Sequence, residues 1–238
     1  EFFSNRPDPG RDKDDTAELL PFMWDTVESS EAFILGDRPN TSMSVRNPSI
    51  LSLPGYQSIF TGHPQGCNTN SCSRVDVETF PERLIRELEL PAEKVAIFSS
   101  WEKLNYAVSR TDDAFMMSTG IMPVNAPNDP IVQELNELQE TDKPDWPSAR
   151  KDEYTFKQAL HHIKKHQPRF TYISFNDSDE YGHRLRYKGY ISAIRNFDVW
   201  MEELFAELDN MPGYGDNTTV IISTDHGRGK GWRWYGHW

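Results

Sequence analysis

The run Thr218-Thr219-Val220-Ile221-Ile222-Ser223 constrains the fold most. It is β-branched and apolar enough to predict a strand buried on both faces. Such strands occur in parallel sheets covered by helices on either side. Val95-Ala96-Ile97-Phe98 and Phe170–Phe175 predict further strands, and Ala32–Leu35 a short one closed by Gly36-Asp37. Between them the apolar spacing turns helical. Thr79 to Leu88 reads as a helix with Thr79 as cap, Pro81 in its first turn, and Leu84, Ile85 and Leu88 on one face. Helices are also predicted over 129–139, 154–166 and 186–208, with a shorter helical patch over 19–24. Segments 4–15, 37–47 and 141–149 carry the prolines and polar residues of loops. Helices alternating with buried strands define an α/β fold, a three-layer sandwich with a central, mostly parallel sheet flanked by helices.

Composition removes several function classes. The net charge of −12 repels phosphate backbones, so nucleic acid is not an expected partner. No apolar run approaches the ~20 residues that span a bilayer. Two cysteines in 238 residues exclude a disulfide scaffold or a Cys-rich zinc module. Oligomeric state leaves no mark on the sequence.

Three clusters carry groups able to do chemistry, and each lies close to a predicted strand end, where open α/β sheets place their sites. Asn176-Asp177-Ser178-Asp179-Glu180-Tyr181-Gly182-His183 follows the 170–175 strand. Asp179 and His183 are four apart, so one helical turn sets a carboxylate and an imidazole on one side, a donor set that suits zinc. The plain alternative is a solvated turn with a capping Asp. Thr224-Asp225-His226-Gly227-Arg228-Gly229 follows the 218–223 strand. Asp225 and His226 reach one ion if the chain turns at Gly227; otherwise this is a glycine-rich connection. In Ser49-Ile50-Leu51-Ser52-Leu53-Pro54-Gly55-Tyr56, Ser52 falls at a predicted helix start, where free backbone N–H groups favour a developing anion. Serines there also serve as simple caps. His237, in an aromatic segment, is the remaining imidazole of interest. His161, His162 and His166 have no carboxylate near them in sequence and read as solvated surface.

Taken together, these clusters resemble the alkaline phosphatase superfamily, which includes nucleotide pyrophosphatases/phosphodiesterases, sulfatases and cofactor-independent phosphoglycerate mutases. The shared order is a hydroxyl nucleophile before Pro-Gly-Tyr and Thr-Gly, then Asp-x-x-Gly-His, then Thr-Asp-His-Gly, then a later His. The resemblance runs along the single domain 1–238 and implies two divalent metal sites, zinc or manganese. Asp179, His183 and His237 would hold one ion, and Asp225, His226 and the nucleophile Ser52 the other. It implies a phosphate ester hydrolase, a phosphodiesterase or phosphatase, acting on a small-molecule ester. Asn68 or Asn70 would face a phosphoryl oxygen, and Arg228, with Lys230 and Arg233, would contact the substrate anion.

The resemblance also implies a further Asp ligand ahead of Glu1 and strands after His237, so the expected domain is incomplete at both ends. A non-catalytic or inactive metal-binding fragment is therefore the rival reading. Tyr56 stands where sulfatases carry Arg, which disfavours a sulfatase, and a mutase needs a lid domain for which segment 72–150 is short. The family's export implies a periplasmic or secreted protein, in which Cys67 and Cys72 would close a small disulfide loop.

Overall fold

The computed structural model describes residues 17–29, 31–36, 47–229 and 231–237. The loop readings for 4–15 and 37–46 lie outside them. The described chain falls into two compact units, one comprising 47–180 with 223–226, the other the N-terminal segment with 181–222 and 227–238.

The first unit is built on a parallel sheet of β1 (Val95–Ser99), β2 (Met116–Thr119) and β3 (Phe170–Ser174), in the order β2-β1-β3. Side chains of a strand alternate between faces, and β1 uses both. Val95 and Ile97 pack with Leu53, Tyr56 and Phe60 of the helix Ser52–Thr61, and with Leu104, Ala107 and Val108. Ala96 and Phe98 pack on the other side against Ala159 of the helix Asp152–His166. The register keeps this division across the sheet. Ile97 pairs with Met117 and Tyr172 on one face, while Phe98 pairs with Ile173, whose side chain belongs to the opposite cluster. Helices on both faces of a parallel sheet make the α/β sandwich expected from the sequence.

Helix starts follow the sequence signals. Thr79 and Glu82 form a reciprocal capping box for Phe80–Leu88. Asp129 caps Pro130–Thr141 by accepting from the Ile131 and Val132 N–H groups at 3.1 and 3.2 Å. In the second unit the helix Pro21–Glu28 packs on the long helix Tyr187–Asp209. There the buried Asp198 carboxylate accepts from the N–H groups of Phe22 and Met23, both at 3.0 Å, and offsets the dipole of the shorter helix. No helix among the described residues is long and apolar enough to cross a membrane.

Three expectations are corrected. Thr218–Ser223 forms no strand: its backbone pairs with none of β1 to β3, and Ile221 is 87% exposed. Strand propensity is realised only against a paired, covered neighbour, and this segment has none among the described residues. Ala32–Leu35 is likewise not a strand, with Phe33 and Leu35 exposed. Finally, the helix histidines are not all solvated. His162 is buried against the Phe98 ring, and burial lowers its pKa to about 4. His161 Nε2 lies 2.7 Å from Asp129, a partner 32 residues away in sequence. The sequence reading also passed over β2, whose Met-Met-Ser-Thr carries little β-branched character.

Candidate metal centre

Ser52 is the first residue of its helix. Leu51 before it is extended, and no serine cap forms. The free N–H at Leu53 is instead taken by the Asn70 side-chain oxygen at 2.9 Å. Asn70 lies in a loop closed by the Cys67–Cys72 disulfide, and Lys103 Nζ donates to its carbonyl at 2.8 Å. The loop thus clamps the start of the Ser52 helix. Asn68, on the same loop, is exposed.

Ser52 is buried, 8% exposed as a residue, and its hydroxyl lies 3.2 Å from His226 Nε2. The same nitrogen stands 3.4 Å from Asp225 Oδ2 and 3.9 Å from Asp179 Oδ1. Gly55 makes this approach possible: a Cβ there would sit 3.0 Å from the Asp225 carbonyl oxygen. A small cavity of about 20 Å³ is lined by Ser52, Tyr56, Trp101, Phe175, Asn176, Asp179 and Asp225. Burial raises the pKa of Asp225, opposed by the neighbouring His226 and reinforced by Asp179. Burial and then the charge of Asp225 raise that of Tyr56, whose hydroxyl pairs with Ser174 at 2.9 Å.

This donor set fits a divalent ion. Around a tetrahedral ion with ~2.0 Å bonds to oxygen and nitrogen, ligand atoms lie about 3.3 Å apart. The separations of 3.2, 3.4 and 3.9 Å around His226 Nε2 bracket that value. Two half-buried carboxylates this close repel each other unless a cation joins them, and oxygen with imidazole nitrogen suits zinc or manganese.

In the other unit, His183 and His237 bring their Nε2 atoms to 2.9 Å, with ring centroids 4.7 Å apart. A bridge between Arg228 and His237, and the Gly229 N–H donating to the Gly236 carbonyl, set the position of His237. Arg228 lies over the Tyr190 ring at 5.8 Å and donates to the Trp234 carbonyl at 3.2 Å. Gly182 leaves room for its guanidinium, since a Cβ there would sit 2.4 Å from Arg228 Nη1. Lys230 lies outside the described residues.

The structure thus gathers Ser52, Asp179, Asp225 and His226 in one unit, and His183, His237 and Arg228 in the other. Trp101, Phe175 and Asn176 line the cleft without having been singled out from the sequence. Their only signal was position, just beyond the ends of β1 and β3.

The family described as Metalloenzyme superfamily, part of the alkaline phosphatase-like clan, matches residues 140–233. That span includes Asp179, His183, Asp225 and His226 and stops short of Ser52 and His237. Over it the chain is similar to metal-dependent enzymes. No curated protein and no solved structure gave a significant match.

Proposed function

We propose that this chain is a phosphate ester hydrolase that uses Ser52 as nucleophile and two divalent metal ions, zinc or manganese. The observation that carries the reading is the convergence of Ser52 Oγ, Asp225 Oδ2 and Asp179 Oδ1 on His226 Nε2. One ion is assigned to Asp225, His226 and Ser52. The second is assigned to the paired imidazoles of His183 and His237. Bound ions would lower the pKa of the serine hydroxyl and offset charge at the two ends of an in-line displacement.

Ser52 Oγ forms a bond to phosphorus as the bond to the leaving oxygen breaks, and the leaving oxygen takes up a proton. Water then attacks the phosphoseryl ester, releasing phosphate or its monoester and restoring the hydroxyl. The tie between Asn70 and the Leu53 N–H keeps the nucleophile helix in register with His226 during both steps. Trp101, Tyr56 and Phe175 wall the cleft with aromatic surface and limit water there. The Cys67–Cys72 disulfide supports a periplasmic or secreted location, because such bonds persist in oxidising compartments.

Rates on matched nitrophenyl phosphodiester, phosphomonoester and sulfate substrates, with zinc or manganese added, test the reading. Turnover of a phosphate ester that is lost on chelation and restored by metal supports it. Activity on the sulfate alone, or on none of the three, would overturn it.

A further inference from the structure

The largest fully buried side chain among the described residues is Arg150, and it lies outside the cleft. Its Nη1 donates to Ser118 Oγ at 2.7 Å and to Gln139 Oε1 at 3.0 Å, and its Nη2 to the Ser118 carbonyl at 2.9 Å. Its Nε donates to Thr155 Oγ1 at 2.8 Å. Thr155 Oγ1 is 2.7 Å from Ser100 Oγ, which donates to Asp152 Oδ1 at 2.5 Å. Ser100 spends its only proton on Asp152, so Thr155 must donate to Ser100. Every proton in this chain therefore points from the guanidinium towards the carboxylate. Aligned hydrogen bonds of this kind polarise one another inside a protein.

Asp152 passes the constraint on. Its Oδ1 accepts from the Asn176 N–H at 2.7 Å and its Oδ2 from the Asp177 N–H at 2.9 Å. Both groups belong to the start of the helix Asp177–His183, which carries Asp179 two residues further on. Asp177 Oδ2 accepts in return from the Asp152 N–H at 3.2 Å. Two helices that start at residues 152 and 177 thus cap each other through their first aspartates. Arg150, Ser100, Thr155 and Asp152 are each 3% exposed or less.

We infer that Asp152, tied to Arg150 through Thr155 and Ser100, is the positioning residue that fixes the start of the Asp177–His183 helix and through it the metal ligand Asp179. This rests on the proposed role of Asp179, but the network also predicts an effect that needs no metal. Groups behind metal ligands typically change affinity 10- to 100-fold when altered.

The test uses the full chain, with Asp152→Asn and the milder Ser100→Ala in case the first does not fold. Glu82→Ala is the control, since it removes the capping box of Phe80–Leu88 in the same unit. Two quantities are read: zinc affinity by titration, and hydrogen exchange of the Asn176 and Asp177 amides. The inference expects ~10- to 100-fold weaker zinc binding and faster exchange at both amides in D152N and S100A, with neither change in E82A. Unchanged exchange in folded D152N and S100A would overturn it, as would an equal loss of zinc affinity in E82A. If the wild-type chain binds no zinc, the metal assignment fails, and the exchange readout still decides whether the network holds the helix.

Discussion

Ser52 Oγ and His226 Nε2 stand 3.2 Å apart although 174 residues separate them in sequence. The proposed hydrolase makes Ser52, beside that imidazole and two carboxylates, the group that attacks phosphorus. Ser52→Ala is expected to abolish phosphate ester turnover while leaving the chain folded and its metal bound. Steady-state rates and metal content of the same preparation check this. An unchanged rate would remove Ser52 from the chemistry.

Gly55 is the point where helix backbone meets the backbone of Asp225. Alanine in a helix gains about 1 kcal/mol over glycine, but forcing a methyl into a packed contact costs roughly 1–3 kcal/mol. The new Cβ would meet a carbonyl oxygen at 3.0 Å, and backbone yields less readily than a side-chain tip. Gly55→Ala is therefore expected to lower the melting temperature slightly and to weaken metal binding by displacing Asp225. A rise in melting temperature with metal affinity intact would contradict the account.

The fold was legible wherever the signal was local. Thr79, with Pro81 after it, marked a helix start, the apolar stripe over 129–139 marked a second helix, and Val95–Phe98 marked the central strand. Of the candidate site, the spacing of Asp179 and His183 predicted one helical turn, and one helix does carry both. What could not be read depends on distant partners. Nothing near His161 announced Asp129, and nothing near Arg150 announced its hydroxyl chain to Asp152. The run 218–223 misled for the same reason: its composition suits a strand, but pairing is a tertiary fact.

The disulfide loop and Asn70 act as one device on the Ser52 helix. Replacing both cysteines by serine should cost about 2 kcal/mol in the chain-entropy model, a fall of roughly 4–8 °C in melting temperature. Asn70→Ala removes the cap on Leu53 N and should cost about 1 kcal/mol. Because the loop holds Asn70 in place, the losses should not add in the combined variant. Full additivity by thermal unfolding would show that loop and cap are independent.

Stability should fall in mildly acidic solution because of His162. Burial first, then the charges of His166, His161 and Lys94, depress its pKa to about 4, against an ordinary value near 6.5. The unfolded chain then binds the extra proton between those values, so stability is full above about pH 6.5 and is lost as pH falls towards 4. The contribution is on the order of 3 kcal/mol. His162→Gln, which cannot titrate, should flatten the pH dependence of denaturant unfolding across that window. An identical slope in the variant would contradict this.

The central claim is that Asp225, His226 and Asp179 hold metal. Metal content of the wild-type chain after dialysis against a weak chelator tests it most directly, with Asp225→Asn/His226→Ala measured alongside. The account predicts about two zinc or manganese ions per wild-type chain, and a loss of at least one in the double variant. A wild-type chain that retains no metal, or a double variant that retains it all, would contradict it.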